Sequence, residues 1–146
     1  MATFRIVAIP QPATITFVNH SNTEINYDIR TISNDPSNYG NVAPGATTQS
    51  NTWYGKELEY GDVAVVGIGQ FGQPQLAPAP GVRFWSGKGG VYNDEYVNLL
   101  GENGWTVTRN TSEISEVTGY GFRITVDGGG RADPDPTEIF FQVYNA

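Results

Sequence analysis

The sequence predicts an all-β fold, a single-domain antiparallel β-sandwich of about eight or nine strands with at most one short helix. Three observations lead to this prediction. Apolar and polar residues alternate with a period of two, Gly and Pro account for 18 and 9 of the 146 residues, and helix signals are nearly absent. One domain over residues 1–146 is expected, because no linker or repeat interrupts the pattern and this length can bury a core without disulfides.

The strands are predicted where the alternation is clearest. In the run 24–30, Ile25, Tyr27 and Ile29 are expected to face the core, and the charged and amide side chains between them are expected to face solvent. The run 122–126 alternates in the same way. Further strands are predicted at residues 4–9, 14–18, 47–53, 62–68, 82–85, 105–108 and 138–144.

One short window has helix character, and three long loops interrupt the strands. In the window 93–100, Asp94 and Glu95 suit a first helical turn, and Gly101 suits its end. The loops span residues 33–45, 70–81 and 127–136. Because loops on a rigid sheet scaffold commonly carry binding residues, these three are where a site is expected.

Charge and cysteine content exclude several classes of function. The net charge is −7 with only 8 Lys and Arg, so no basic cluster is present to neutralise the phosphates of nucleic acid or the surface of anionic lipid. Without cysteine, a disulfide, a zinc–thiolate site and a thiol nucleophile are excluded. No apolar run is long enough for a transmembrane segment. The expected location is the cytoplasm, or outside the cell after release without a signal peptide.

Two apparent motifs are explained by local structure. Residues 67–72 match G-x-G-x-x-G, but Pro74, Pro78 and Pro80 follow where a dinucleotide site needs a helix. The segment is therefore predicted to be a glycine-rich strand end, and no cofactor is expected. His20, the single histidine, lies in a predicted solvated turn. The glycosylation sequon that starts at Asn19 is interpreted as a chance match.

Aromatic residues beside amide and carboxylate side chains are the main indication of a ligand. A ring can cover the apolar face of a sugar while Asn and Asp bond its hydroxyls, and it can also attract a quaternary ammonium group. The alternative is that these rings close the core of the sandwich. The candidate ligand-binding residues are Phe71, Trp85, Tyr92, Asn93, Asp94, Tyr96, Asn98 and Trp105.

Carboxylates give two weaker hypotheses. Asp127, Asp133 and Asp135 share one glycine-rich loop and are candidate calcium ligands, although the same glycines suit a hairpin tip. Two carboxylates among Asp94, Glu95 and these three could serve a polysaccharide hydrolase.

The first third of the chain resembles a group of known proteins. Residues 13–29 read as a strand, an Asn-Ser-Asn turn and a second strand, and Pro44-Gly45 then precedes a Thr- and Trp-containing strand. This arrangement is similar to the opening of small leaderless β-sandwich proteins, the aegerolysins and the actinoporin-like fungal lectins. The resemblance implies binding to a glycan or a membrane lipid, in defence or toxicity. No family site residues are transferred, because the likeness does not extend beyond Tyr54.

The leading hypothesis is a non-enzymatic binding protein, lectin-like or cytolysin-like, for a glycan or a neutral lipid headgroup. A structural or assembly subunit, such as a surface or virion protein that forms a homo-oligomer through edge strands, is the first alternative. A polysaccharide hydrolase is the second.

Overall fold

The computed structural model describes residues 13–29, 38–53, 64–70, 72–86, 95–111, 114–127 and 138–146. Within these ranges every regular element is a β-strand, and eleven strands form three sheets. The all-β, sandwich-like fold that the period-two pattern predicts is therefore confirmed. The predicted strand at residues 4–9 lies outside the described residues.

The strands follow one another at short spacing. In chain order they are β1 (Ala13–Asn19), β2 (Ile25–Ile29), β3 (Asn38–Val42), β4 (Thr47–Trp53), β5 (Ala64–Ile68), β6 (Gly81–Ser86), β7 (Glu95–Leu100), β8 (Thr106–Asn110), β9 (Ile114–Gly119), β10 (Phe122–Asp127) and β11 (Glu138–Asn145).

The largest sheet has six strands in the order β4-β1-β11-β10-β9-β8. One of its pairs departs from the predicted antiparallel arrangement, since β1 and β11 run parallel with Phe17 beside Phe141. The smaller sheets have the orders β3-β2-β5 and β6-β7, and their pairs are antiparallel.

The core lies between the six-stranded and the three-stranded sheets. Phe17 of β1 stacks on Tyr27 of β2 at 4.3 Å between ring centroids, and on Phe141 of β11 at 5.3 Å. Ile15 and Ile25 are also fully buried. Burial of each such side chain contributes about 1.5–3 kcal/mol, so these apolar faces hold the two sheets together.

Two strands occupy positions for which the sequence predicts other structure. The helix prediction for residues 93–100 is wrong, because Glu95–Leu100 is strand β7, paired in register with β6 from Gly81↔Leu100 to Ser86↔Glu95. Pairing along this length outweighs two weak helix-start residues. Strand β3 lies in the predicted loop 33–45, where Gly40 accommodates the ring of Tyr27.

Candidate functional site

The structure brings together few of the ligand-binding residues predicted from the sequence. Trp85 and Tyr96 are register partners across β6 and β7, and Asn98 is the partner of Arg83 two positions along. The remaining loop candidates, Phe71, Tyr92, Asn93 and Asp94, lie outside the described residues.

Trp105 differs from the expectation of an open, ligand-facing ring. It is only 3 % exposed, and its indole Nε1 donates a hydrogen bond to the carbonyl of Pro78 at 2.8 Å. Tyr120 meets the indole edge-to-face at 5.3 Å. Trp105 is therefore a core residue that ties the 72–80 segment to the start of β8.

The calcium hypothesis falls largely on undescribed residues. Asp127 ends β10 in register with Ile114 and Phe140, whereas Asp133 and Asp135 lie outside the described ranges. In the part of the chain that the structure describes, no three His, Asp or Glu side chains are grouped as metal ligands.

A cavity with several polar side chains in its lining lies on the outer face of the three-stranded sheet. The sequence predicts a solvated outer face for β2, but Asn26 on that face is only 5 % exposed. The 72–80 segment packs against β5, with Leu76 N donating to Ile68 O at 2.9 Å and an isolated bridge between Ile68 and Ala77. The cavity has a volume of about 250 Å³ and is lined by Asn26, Tyr27, Asp28, Gly67, Gly72, Gln75 and Ala79.

Gly67 leaves room for two carboxamide groups in this cavity. A Cβ at position 67 would lie 2.5 Å from Asn26 Oδ1 and 2.8 Å from Gln75 Oε1. Any larger residue would therefore displace these side chains from the site. Asn and Gln each offer both hydrogen-bond donors and acceptors, so the wall of the cavity can bond groups of either kind.

Strand β3 extends the polar surface beside the cavity. Its Asn41 and Tyr39 are the register partners of Asn26 and Asp28, and directly opposed residues share a face of the sheet. Tyr39 is 61 % exposed. An open ring thus lies on the same surface as a carboxylate and several carboxamides. We call Asn26, Asp28, Tyr39, Asn41, Gly67 and Gln75 the β2 surface.

The opposite face of β2 makes a rigid support for this surface. Tyr27 stacks on Phe17 in the core, and burial raises the pKa of its phenol above the ordinary value of 10.0. The hydroxyl therefore stays protonated at neutral pH. Because β2 is anchored in the core on this face, its outer side chains are held in fixed positions along the strand.

A second array of polar side chains crosses the outer face of the six-stranded sheet. The ring of His20 stacks on Tyr144 at 4.6 Å, and the Arg123 guanidinium lies 4.1 Å from the centre of the same ring. Arg123 Nη1 is 3.0 Å from Glu116 Oε2, and Thr108 donates to Glu116 Oε1 at 2.9 Å. These contacts link neighbouring strands of the sheet, which makes the array a stabilising feature.

The turn between β1 and β2 is held by Asn19. This side chain is 1 % exposed and its Nδ2 donates to the carbonyls of Thr23 and Val42, at 2.8 and 3.0 Å. Ser21 donates to Asn19 Oδ1 from both its backbone and its hydroxyl. The side-chain nitrogen of Asn19, which a glycan would modify, therefore already makes two hydrogen bonds within the fold.

Local sequence reasoning missed the β2 surface for a physical reason. Its residues come from four separate places: β2, β3, the end of β5 and the segment that follows. Alternation correctly assigns Asn26 and Asp28 to the outer face, but it does not show that the 72–80 segment crosses that face. A signal was available, since Gln75 lies in the proline-rich loop that the sequence marks as a binding region.

The described residues define an all-β, sandwich-like protein with a cavity on the outer face of one sheet. Comparison with known protein families, curated proteins and solved structures found no match. The described ranges contain no helix that is long and apolar enough to cross a membrane.

Proposed function

We propose that this protein is a non-enzymatic, lectin-like protein that binds a carbohydrate on the β2 surface. The observation that carries the proposal is the combination of the open ring of Tyr39 with a cavity walled by Asn26, Asp28 and Gln75. A sugar ring has apolar C–H faces and hydroxyls that both donate and accept, and this surface offers a partner for each.

The charge of the molecule favours a glycan over a phosphate-bearing lipid headgroup. The net charge is −7, and the cavity wall includes the carboxylate of Asp28. A phosphate placed there would be repelled. A carbohydrate offers this surface the same groups whether it is free or part of a glycolipid. The two forms are therefore compared experimentally below.

A glycan array followed by calorimetry tests the proposal. The full chain should bind a subset of glycans, and Gly67→Ala and Tyr39→Ala should each weaken that binding by at least about tenfold. Gly67 has no positive φ, so alanine fits the backbone while its Cβ displaces Asn26 and Gln75. Glycolipid vesicles, compared with plain neutral vesicles, show whether a membrane-presented sugar is preferred.

Tyr144→Ala is the matched control, because it removes a tyrosine that stacks on His20 at the outer face of the other large sheet. It should leave glycan affinity unchanged. Thermal unfolding of each variant confirms that it is folded. The proposal fails if the folded wild-type chain binds no glycan in either presentation, or if Gly67→Ala and Tyr39→Ala both bind as well as wild type.

A further inference from the structure

The cavity of the β2 surface is closed on the side of β5. The 72–80 segment passes close beside Gly69, the residue that follows this strand, since a Cβ there would lie 3.4 Å from the α-carbon of Gln75. Two positions earlier, the carboxamide of Gln75 reaches Gly67, where it meets the carboxamide of Asn26. The segment therefore contacts the sheet at two successive points, and a polymer chain cannot pass between them.

The opposite side of the cavity, towards β3, is open. Tyr39 and Asn41 of that strand are exposed, and they are the register partners of Asp28 and Asn26 in the cavity wall. Directly opposed residues of antiparallel strands lie about 4.5–5.5 Å apart, so the ring of Tyr39 stands next to the opening. A cavity with one closed side admits the end of a chain, whereas the interior of a polymer needs a groove that is open at both ends.

The volume of the cavity suits a single sugar ring. Its value of about 250 Å³ is below the range of roughly 300–1,000 Å³ that encloses drug-sized ligands. Residues with little or no side chain, Gly67, Gly72 and Ala79, leave this space between the sheet and the 72–80 segment. A second ring of the same size would have to lie outside the opening.

We propose that the β2 surface recognises the terminal, non-reducing sugar unit of a glycan, an inference that rests on the carbohydrate-binding function proposed above. The terminal ring enters the cavity, where its hydroxyls bond the carboxamides of Asn26 and Gln75. The next unit lies at the opening, over the ring of Tyr39, and the rest of the glycan extends into solvent. The non-reducing end is the one that enters, because the reducing end of a glycan is joined to its carrier.

The dependence of affinity on chain length tests this inference. Calorimetry on the full chain uses β1→4-linked oligomers of one, two and six units of glucose, galactose, mannose and N-acetylglucosamine, each prepared as the methyl glycoside. In the series that binds, one unit should bind, two units should bind up to about tenfold more tightly because the second unit covers Tyr39, and six units should bind no more tightly than two.

A blocked chain end tests the inference directly. A methyl group on the terminal 4-hydroxyl of the six-unit oligomer enlarges the unit that must enter the cavity and removes one of its donors. It should therefore weaken binding by at least about tenfold. Recognition of internal units would leave the affinity unchanged, because all of those units are still present.

Gln75→Ala tests the closed side of the cavity. It removes the side chain that reaches Gly67, so the blocked oligomer should bind this variant as tightly as the unblocked one. Gln73→Ala is the matched control, because it removes an exposed glutamine of the same segment that does not line the cavity. It should retain the preference for the unblocked end, and thermal unfolding confirms that both variants are folded.

The inference is overturned if no one-unit probe binds, if affinity keeps rising from two to six units, or if the blocked oligomer binds the wild type as tightly as the unblocked one. A preference that survives in Gln75→Ala also overturns it. In those cases the carbohydrate site itself stands, provided that array glycans bind and Gly67→Ala weakens that binding. Absence of binding to every glycan of the array would instead remove the proposed function along with the inference.

Discussion

At the scale of single residues, Tyr120 shows how side-chain contacts hold an unfavourable backbone conformation. It has a φ of 55° in the turn between β9 and β10, a left-handed conformation that costs a bulky residue about 1–2 kcal/mol. Its hydroxyl donates to the carbonyl of Asn103, and its ring meets Trp105 edge-to-face. Gly104 permits this approach, since a Cβ there would overlap the Tyr120 hydroxyl. Two adjacent turns are thereby fixed to each other.

The hydroxyl can be tested separately from the ring. Tyr120→Phe keeps the aromatic contact and the backbone but removes the hydrogen bond, so it should lower the free energy of unfolding by about 1 kcal/mol. Urea denaturation of both proteins gives this difference. If Tyr120→Phe is as stable as wild type, the turn is held by the ring alone.

At the scale of elements, the 72–80 segment depends on a few anchors to stay over the outer face of β2. Leu76 N bonds to Ile68 O, and the Trp105 indole bonds to Pro78 O. The segment supplies Gln75 to the cavity wall. Trp105 does not line the cavity, but its hydrogen bond to Pro78 holds the segment that does.

Trp105→Phe tests this connection. Phenylalanine retains much of the buried ring but cannot donate to Pro78, so the segment should open more often. Hydrogen exchange at the Leu76 amide should accelerate by about tenfold or more relative to core strand amides. Val117→Ala is a useful comparison, because it weakens the core without touching Pro78. Equal acceleration at Leu76 in both variants would show that the indole bond has no special role.

The same element scale explains what the sequence could predict. Alternation identified β2 and β10 because their faces differ in polarity, and the buried Ile25, Tyr27, Ile124 and Val126 agree with it. It did not identify β7, whose strand conformation depends on pairing with β6. Local sequence patterns do not predict the β2 surface either. Its residues come together only through the pairing of β2 with β3 and through the path of the proline-rich segment. Long-range contacts of this kind leave little trace in local spacing.

At the scale of the whole molecule, this acidic protein is stabilised in part by its few positively charged side chains. Partial burial alone would raise the pKa of Glu116, but hydrogen bonds from Thr108 and Arg123 and the positive charges of Arg123 and Arg109 together lower it below the ordinary value of 4.5. Through these partners one carboxylate connects β8, β9 and β10. Its ionised form is therefore favoured by folding.

The pKa of Glu116 is lower in the folded protein than in the unfolded chain. The ionised carboxylate therefore stabilises the fold fully at pH values above its ordinary pKa, and this stabilisation is lost as the pH falls through the folded pKa. Glu116→Gln should lower the free energy of unfolding at pH 7 by about 0.5–1 kcal/mol, with the difference shrinking below pH 4.5. Denaturant unfolding at several pH values measures it, and a difference that persists in acid would contradict the ionic origin.

The parallel pairing of β1 with β11 also determines how the chain must fold. Phe17 and Phe141 are partners although they are 124 positions apart. This pair, in the interior of the largest sheet, therefore closes a very long loop. The chain entropy of closing that loop is lost before most of the stabilising contacts can form. Hairpins such as β9–β10 can form early, whereas β1 keeps an unpaired edge until β11 arrives. We therefore expect the protein to fold slowly. Until β11 pairs with β1, the exposed edge of β1 can pair with another chain and cause aggregation.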